Sequence, residues 1–246
     1  MMSGKLDIFL AGAGGAIGRR LVPQLIAAGH RVHGTSRHAE RLRELAAMGL
    51  RPVVVDAFDR QALLRAVDAA SPDIVVHQLT DLPREFPGAM SSEALEANAR
   101  VREEGTANLI EAAILAGAHR IVSQSVAWLY AGGPEPHTEE DPLIQPGEGL
   151  AAISLRGVLA LERMTLQSPP LEGVVLRYGR LYGPGTWYET PDGSVPVHVD
   201  AAANAALLAV ESSRTGVFNI AEQKGAVSAE RARCELGWSA DYRLKD

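Results

Sequence analysis

Ile8-Phe9-Leu10-Ala11-Gly12-Ala13-Gly14-Gly15-Ala16-Ile17-Gly18 is the most informative stretch of the sequence. An apolar run typical of a buried strand passes into a glycine-rich turn, and a segment bearing arginine and leucine, typical of a helix, follows. Glycines permit a tight turn and a close backbone approach, and a helix N-terminus offers unpaired N–H groups to a pyrophosphate. The stretch therefore predicts a dinucleotide-phosphate site formed by Gly12, Gly14, Gly15, Ala16, Ile17 and Gly18.

The glycine spacing distinguishes two versions of this motif. A G-x-G-x-x-G pattern that starts from Gly12 and Gly14 requires glycine at position 17, which is Ile17. The G-x-x-G-x-x-G pattern uses Gly12, Gly15 and Gly18. The second version fits the sequence.

Size and composition indicate a globular protein. Of the 246 residues, 46% are hydrophobic and 22% are charged, which is enough to build a packed core. The net charge is −6 and no Lys/Arg run forms a stripe along a phosphate backbone, so nucleic acid is not an expected partner. A single cysteine, Cys234, excludes an internal disulfide and a multi-cysteine metal site, and we expect no metal.

The sequence gives no sign of a membrane segment. No apolar stretch approaches the roughly 18 residues that a membrane helix needs, and the first apolar run passes into the glycine turn rather than a cleavage site. We therefore expect a cytoplasmic protein without a membrane partner. An α/β chain of this length commonly folds as one unit, so we expect one domain over residues 1–246 with a small C-terminal lobe from about residue 179.

Short β-branched runs alternate with longer Ala- and Leu-rich segments, which is typical of βαβ units. The predicted strands are Asp7–Ala11, Arg31–Thr35, Arg51–Val55, Ile74–His77, Arg120–Ser123, Val174–Tyr178 and Val217–Ile220. The predicted helices are Ala16–Ala28, Ala39–Met48, Arg60–Ala69, Ser92–Ala116, Ala152–Gln167 and Ala201–Glu211. We predict an α/β fold of Rossmann type, a doubly wound parallel sheet with its ligand crevice at the C-terminal ends of the strands.

The end of the second predicted strand favours NADP over NAD. An acidic residue about 20 positions past the glycines normally binds the ribose hydroxyls of NAD, but no Asp or Glu occurs from Arg19 to Ala39. Ser36 and Arg37 instead place a hydroxyl and a guanidinium where a 2′-phosphate would lie, and arginine binds phosphate through two parallel charge-assisted bonds. The alternative is that Arg37 is a solvated loop residue, and NAD stays open as the cofactor.

Several later segments carry a family resemblance. Gly105–Ala113 followed by Ala116–Val122 resembles GTxNLLEAAxxAGVKRFV, and Leu176–Gly185 resembles LRxxxxYGPG. Val197–Ala202 resembles VHVDDVA, and Gly216–Ile220 resembles GVYNI. With the glycine turn, these segments resemble the extended and atypical short-chain dehydrogenase/reductases, the NAD-dependent epimerase/dehydratases, over roughly residues 6–240. The resemblance implies a nicotinamide dinucleotide, a small hydroxyl, carbonyl or sugar-like substrate, and is compatible with a homodimer.

Residues at other strand ends complete the predicted cofactor site. Gln78 and Leu79 follow the fourth strand, where the chain passes under the ribose and pyrophosphate, and Ser123 ends the fifth strand. Asp56 ends the third strand, where the resembling families often place an acid near the adenine. Its alternative role is to cap the following helix, for which Asp59 competes.

The resemblance breaks at the residues that move protons. Members of the family carry a Tyr-x-x-x-Lys pair, in which tyrosinate exchanges a proton with a substrate hydroxyl and lysine lowers the pKa of the tyrosine. Aligning Glu162 with the family glutamate places Ser154 at the tyrosine position and Val158 at the lysine position. None of the 5 tyrosines is followed by lysine four residues later, so the pair is absent from the whole sequence.

Ser125 and Tyr178 are the remaining catalytic candidates. Aligning Tyr130 with the SSxxVYG stretch of the family places Val126 at the usual hydroxyl position and Ser125 one residue earlier. Ser125 is either the replacement, at a strand end that faces the nicotinamide, or a turn-forming serine. Tyr178 ends the sixth predicted strand and offers a second hydroxyl.

Arg102, Trp187 and Tyr188 are the predicted substrate residues. Arg102 stands at a family asparagine position, with Asn98 one helical turn earlier, and either binds an anionic substrate or pairs with an acidic neighbour. Only residues 185–196 separate the last two large motifs, so the substrate lobe is reduced. Trp187 and Tyr188 are then the aromatic side chains left to line it.

The predicted function is an NADP-dependent oxidoreductase or epimerase/dehydratase that acts on a small molecule with a substitute for the Tyr–Lys pair. One alternative is a non-catalytic NADP-binding sensor or regulator. Another is a catalyst of isomerisation or dehydration in which the nucleotide is structural. A hydroxyl near its normal pKa is a poor base without activation, so the residues alone leave these open, and the family resemblance favours an enzyme.

Overall fold

The computed structural model describes residues 4–83, 85, 89–145, 147–222 and 225–244. Its strands are β1 (Asp7–Ala11), β2 (Arg31–Ser36), β3 (Arg51–Val54), β4 (Ile74–His77), β5 (Arg120–Val126), β6 (Glu172–Tyr178), β7 (Arg180–Tyr182), β8 (Pro196–His198) and β9 (Gly216–Ile220). Seven of them form one parallel sheet in the order β3-β2-β1-β4-β5-β6-β9, and β7 and β8 form a separate parallel pair.

Helices cover both faces of the large sheet. They are α1 (Ala16–Ala27), α2 (Arg43–Ala47), α3 (Arg60–Ala70), α4 (Ser92–Arg100), α5 (Thr106–Leu115), α6 (Leu150–Leu166), α7 (Val199–Glu211) and α8 (Glu230–Leu236). A 3₁₀ turn at Ala39–Leu42 precedes α2, and a π-helical turn at Val101–Gly105 joins α4 to α5. Among the helices described, none is both long and apolar enough to span a bilayer.

The alternation of side chains along β1 separates two apolar cores. Ile8 and Leu10 pack with residues of α1 and α7, whereas Phe9 packs with residues of α3 and α5 on the other face. All three side chains are fully buried. Burial of a side chain of this size contributes about 1.5–3 kcal/mol, and coverage on both faces explains why β1 is a continuous apolar run rather than an alternating one.

The strand ends of the sheet meet at one edge. In the parallel register, Ala11 of β1 pairs with His77 of β4, and His77 pairs with Ser123 of β5. The chain segments that follow these strands therefore lie side by side, and the glycine turn is among them. The predicted α/β fold of Rossmann type is confirmed.

Several elements differ from the sequence prediction. The segment predicted as one helix over Ala39–Met48 is a 3₁₀ turn followed by the short α2, and α8 is absent from the prediction. The helix predicted over residues 92–116 is interrupted at Val101–Gly105, because a π turn accommodates one extra residue that helical periodicity does not reveal. Strand β5 continues past its predicted end at Ser123 to Val126, because these residues pair with β6 as far as Tyr178. The strands β7 and β8 have 3 residues each and are too short to show alternation in the sequence.

Candidate functional site

Close backbone contacts shape the glycine turn between β1 and α1. Gly12 has a φ of +92°, and a Cβ at this position would lie 2.6 Å from the carbonyl oxygen of Gln78. A Cβ at Gly18 would lie 2.3 Å from the Gly12 oxygen. The turn therefore packs tightly against both the end of β4 and the first turn of α1, and neither position has room for a side chain.

The N-terminus of α1 has the properties of a phosphate site. Gly15 is the N-cap in an extended conformation, no side chain caps the helix, and no acidic residue lies in its first turn. The first N–H groups of a helix lack intrahelical partners and carry the positive end of its dipole. Ala16 and the buried Ile17 begin the helix. This turn fits the pyrophosphate of a dinucleotide.

Ser36 and Arg37 lie at the end of β2, beside the glycine turn. Arg37 Nη2 donates a 3.0 Å hydrogen bond to Asp81 Oδ1, in the chain that follows β4. Both side chains are partly exposed, and an ion pair of this kind contributes about 0–1 kcal/mol. Ser36 Oγ accepts a 3.1 Å hydrogen bond from the His38 N–H. The two predicted phosphate ligands, Ser36 and Arg37, thus lie together, and Arg37 forms only a weak ion pair with Asp81.

Arg41 is a further cation at this corner, and the sequence reasoning missed it. A Cβ at Gly14 would lie 3.0 Å from Arg41 Cβ and 3.6 Å from Ser36 Oγ. Arg41 is half-buried, and its side chain makes no hydrogen bond or ion pair with the rest of the described chain. Arg41 lies in the 3₁₀ turn, four residues after Arg37, and no pattern in the sequence marks its nearness to Gly14.

Asp56 and Asp59 have separate roles after β3. Asp59 Oδ1 accepts a 3.0 Å hydrogen bond from the Ala62 N–H and caps α3. Asp56 Oδ1 accepts a 3.0 Å hydrogen bond from the Phe58 N–H. Asp59 is therefore the helix cap, and Asp56 stabilises the turn before it.

The chain after β4 passes beside the glycine turn. Gln78 is buried, and its Nε2 donates a 3.4 Å hydrogen bond to the Tyr178 hydroxyl. Its Oε1 has no partner among the residues described. The Leu79 carbonyl accepts a 3.1 Å hydrogen bond from Gln124 Nε2. A buried amide oxygen without a partner is unusual, and a bound ligand can satisfy it.

His77, at the end of β4, is a neutral structural residue. Its Nε2 lies 2.9 Å from Thr106 Oγ1, and its Nδ1 accepts a 3.2 Å hydrogen bond from the Leu79 N–H. Burial, and next the charge of Arg102, lower the pKa of His77 to about 3. Both ring nitrogens are occupied.

Tyr178 ends β6 with its side chain buried. Burial raises the pKa of its phenol above the ordinary value, and the hydrogen bond from Gln78 offsets only part of this effect. The hydroxyl is therefore protonated at neutral pH and cannot act there as a base.

Ser123 and Ser125 face the α6 side of the sheet. Ser123 Oγ accepts a 2.9 Å hydrogen bond from Thr165 Oγ1, and Ser125 Oγ donates a 2.6 Å hydrogen bond to Glu162 Oε1. Both serines are buried. The extended β5 explains this orientation, because Ser125 lies within the strand rather than beyond its end.

Glu162 is the centre of a buried ion-pair network. Arg177 Nε and Nη2 donate to its two carboxylate oxygens at 2.9 and 2.7 Å, and Arg177 Nη1 donates to the Tyr130 hydroxyl at 2.8 Å. The Tyr130 hydroxyl in turn donates to Asn219 Oδ1 at 2.7 Å. Although burial opposes the charge, the Glu162 carboxylate raises the pKa of Arg177. The network ties α6 to β6 and β9 and engages Ser125.

Two of the family's three proton-relay positions are apolar in this structure. Val126 and Val158 pack with Leu129 and Leu155, and none of the four is more than 8% exposed. Ser154, at the tyrosine position, directly precedes Leu155 in the chain and is half-buried. We call Val126, Leu129, Leu155 and Val158 the relay-site cluster; none of its side chains can exchange a proton.

The three predicted substrate residues lie in two places. Arg102 is in the π turn and is 8% exposed. Trp187 and Tyr188 are half-buried in the loop between β7 and β8. Trp187 Nε1 donates a 3.0 Å hydrogen bond to the Pro83 carbonyl, which ties this loop to the chain after β4.

Comparison with known proteins identifies sequence relatives. A sequence profile of the NAD dependent epimerase/dehydratase family matches residues 8–216. A Streptomyces protein, 3-diazoavenalumate denitrifying reductase, is 44% identical over 249 aligned residues, which cover 92% of this chain and 79% of the relative.

Solved structures of sugar-nucleotide epimerases share the fold. The UDP-glucose 4-epimerase of Stenotrophomonas maltophila, with bound NAD and formylated UDP-arabinopyranose, gives a TM-score of 0.77 at 17% identity and covers 97% of this chain and 94% of its own. The UDP-glucose 4-epimerase of Thermotoga maritima, with UDP-glucose, gives 0.75 at 18% identity, with coverage of 96% and 94%. At this identity the likeness supports the fold alone.

Proposed function

The chain belongs to the NAD-dependent epimerase/dehydratase family, and on this premise we propose that it is an NADPH-dependent reductase whose substrate needs no proton relay. The relay-site cluster is the observation that carries the proposal. Reduction of a carbonyl places negative charge on oxygen, which a positioned acid has to neutralise. Val126 and Val158 cannot supply that proton, and Ser154 at the tyrosine position lacks the lysine that would activate its hydroxyl, so an acceptor that develops no charge on oxygen suits the site better.

The hydroxyls of the two catalytic candidates, Tyr178 and Ser125, make structural hydrogen bonds instead. Tyr178 is buried against Gln78, and Ser125 donates a hydrogen bond to Glu162, whose oxygens also accept hydrogen bonds from Arg177. We therefore assign both hydroxyls to positioning rather than to proton transfer.

The 44% identical relative is named for the reduction of a diazo compound with loss of nitrogen, and we propose an arenediazonium carboxylate as the substrate class of this chain. A nicotinamide dinucleotide held at the glycine turn by Gly12, Gly15 and Gly18 would supply a hydride. The diazonium carbon accepts it while the C–N bond breaks, and dinitrogen leaves with that bonding pair. A cationic substrate and a hydride give an uncharged C–H bond and dinitrogen, so the reaction balances without a proton.

The relay-site cluster has a second role in this reaction. Water also attacks a diazonium carbon, which would replace nitrogen by hydroxyl. Four buried apolar side chains beside the acceptor exclude water and offer no oxygen nucleophile of their own. The same substitution that removes the relay thus protects the substrate.

The corner at the end of β2 supports NADPH as the hydride donor. Ser36 and Arg41 both lie close to Gly14 of the glycine turn, and Arg37 directly follows the neighbouring strand β2. Two guanidinium groups and a hydroxyl match a 2′-phosphate. The Arg37–Asp81 pair is exposed, so a phosphate can displace the carboxylate.

Isotope transfer tests the proposed reaction. Purified protein is incubated with para-carboxybenzenediazonium and NADPH that is deuterated at the hydride position of the nicotinamide. We expect dinitrogen and benzoate with deuterium at the former diazonium carbon, formed faster than without protein. Gly12→Ala, which disrupts the turn against Gln78, is the matched control and is expected to abolish the enzymatic rate.

Two results would contradict this function. Reduction of carbonyl compounds without turnover of the diazonium salt would overturn the substrate class. Tight NADPH binding without turnover of either would favour a non-catalytic sensor or regulator.

A further inference from the structure

Arg102 is a buried cation. Its side chain is 8% exposed, and it makes no hydrogen bond or ion pair with any residue in the described ranges. Burial lowers the pKa of its guanidinium to about 10, which still leaves it charged at neutral pH. Charged groups in protein interiors are ordinarily paired, because an unpaired buried charge is strongly unfavourable.

The neighbouring titratable groups do not pair with it. The charge of Glu162 acts on Arg102, but both oxygens of that carboxylate accept hydrogen bonds from Arg177 and one also accepts from Ser125. His77 is neutral, and both of its ring nitrogens are engaged. The guanidinium donors of Arg102 are therefore available to a ligand.

The guanidinium nitrogens of Arg102 are not fully sealed from solvent. Within the described residues, the side-chain polar atoms that lack both solvent contact and a hydrogen-bond partner are Gln78 Oε1 and His137 Nδ1. Arg102 makes no hydrogen bond, and its nitrogens are not among these atoms, so each of them keeps some contact with solvent. The charge is therefore not completely enclosed by protein.

Arg102 lies where the helix after β4 meets α6. The π turn carries it, and such turns are frequent at functional sites because they redirect one residue of a helix. A Cβ at Gly157 would lie 2.9 Å from Ala99 Cα, so α6 packs closely against α4 here. Val158 of the relay-site cluster follows Gly157 directly. The cluster, the end of β4 at His77, and Arg102 therefore adjoin one another.

We propose that Arg102 binds the carboxylate of the substrate and so holds the diazonium carbon against the relay-site cluster. The identity of the substrate rests on the proposed function, whereas the anion site rests on the burial and missing partner of Arg102 itself. A guanidinium binds a carboxylate through two parallel hydrogen bonds and gains its missing counter-charge. The same charge repels the diazonium end, so it favours one orientation of a substrate with opposite charges at its ends.

Binding of cinnamate to the complex of the protein with NADP⁺ tests this site, with cinnamamide as the uncharged analogue and calorimetry as the measurement. We expect Arg102→Met to weaken cinnamate binding about 10- to 100-fold and to leave cinnamamide binding unchanged. Arg102→Lys keeps the charge without the paired donors, so its cinnamate affinity should lie between those of the wild type and Arg102→Met. Arg100→Met is the matched control, because Arg100 is an exposed arginine of α4 paired with Glu104.

The unfolding temperature separates a binding role from a structural one. Without ligand, Arg102→Met should unfold at the same or a higher temperature, because it removes an unpaired buried charge. Three results would overturn the inference. They are equal cinnamate affinity in the wild type and Arg102→Met, no cinnamate binding by either protein, and a loss of NADP⁺ affinity in Arg102→Met as large as its loss of cinnamate affinity. Cinnamate binding that depends on Arg102 in a protein that cannot reduce diazonium salts would overturn the proposed function and leave the anion site standing.

Discussion

The glycine turn and the relay-site cluster lie at the same edge of the sheet but differ in their polar groups. The glycine turn leaves polar groups available to a ligand, whereas the relay-site cluster has apolar side chains and its polar neighbours are paired within the protein. At the glycine turn, the N-terminus of α1 is uncapped, the Arg41 side chain has no partner within the described chain, and Arg37 is on a weak surface pair. At the relay-site cluster, valines stand at two relay positions, and Glu162 engages the nearby serine and arginine. Cofactor binding and proton relay are therefore separable in this fold.

Glu162→Gln is expected to have the largest effect on stability. It leaves Arg177 buried without its counter-charge, which we expect to lower the free energy of unfolding by about 3–5 kcal/mol. Urea unfolding at neutral pH is the measurement. Glu104→Gln removes the partner of an exposed arginine and should change little. Similar stability of the two variants would mean that the ion-pair network does not hold the second region together.

Gly12→Ala tests the first region. Gly12 and Gly29 share a φ of +92°, so alanine strains the backbone at both, but only at Gly12 would the new Cβ meet the Gln78 carbonyl, at 2.6 Å. We expect Gly12→Ala to weaken NADPH binding by about 100-fold and Gly29→Ala to bind as the wild type does. Titration of NADPH fluorescence measures this. Equal affinities would refute the role of the close contact.

The pH dependence of the free energy of unfolding tests how completely water is excluded from His77, which adjoins the relay-site cluster. The pKa of His77 is about 3 in the folded protein and about 6.5 when unfolded. Below pH 6.5 the unfolded chain therefore binds a proton that the folded protein does not, and stability is lost as the pH falls. We expect His77 to account for about 2 kcal/mol of loss between pH 7 and pH 5. Urea unfolding of wild type and His77→Gln should differ by this slope, and parallel curves would contradict it.

Arg37→Ala and Arg41→Ala test the cofactor preference. Each substitution should weaken NADPH binding about tenfold and leave NADH binding unchanged, because only NADPH carries the 2′-phosphate. Arg43→Ala removes an exposed arginine at the start of α2 and is the control. Equal effects on the two cofactors, measured by fluorescence titration, would show that neither arginine recognises the phosphate.

Asp81→Asn should give the smallest effect and the opposite sign. It releases Arg37 from its surface ion pair, so NADPH binding should tighten by up to about fivefold. NADH binding should not change. Weaker NADPH binding in this variant would mean that Asp81 positions Arg37 rather than competing with the phosphate.

The first region was largely predictable because its chemistry depends on local backbone. The spacing of Gly12, Gly15 and Gly18 specifies a turn, and the absence of acidic residues after it is visible in the sequence. Arg41 escaped notice because its nearness to Gly14 depends on how the 3₁₀ turn packs. Local pattern does not encode that contact.

The second region depends on long-range geometry that the sequence does not display. Ser125 was expected at a strand end, but pairing with β6 extends β5 to Val126 and directs the serine hydroxyl to Glu162. The π turn at Arg102 adds a residue that helical periodicity hides. The valines at the relay positions were apparent from alignment, but their packing into one apolar cluster required the fold.

The hydrogen bond from Trp187 to Pro83 places an indole where two crevice loops meet. Trp128 is exposed elsewhere in the loop after β5, and Trp238 is buried against α7. Indole emission overlaps the absorption band of the reduced nicotinamide ring, so energy transfer should quench the fluorescence of Trp187 when the reduced carrier binds. The fluorescence should return once the ring is oxidised, because the absorption band is then lost. The chain thereby contains a built-in optical probe, and stopped-flow spectroscopy can follow binding and oxidation of the carrier without a dye.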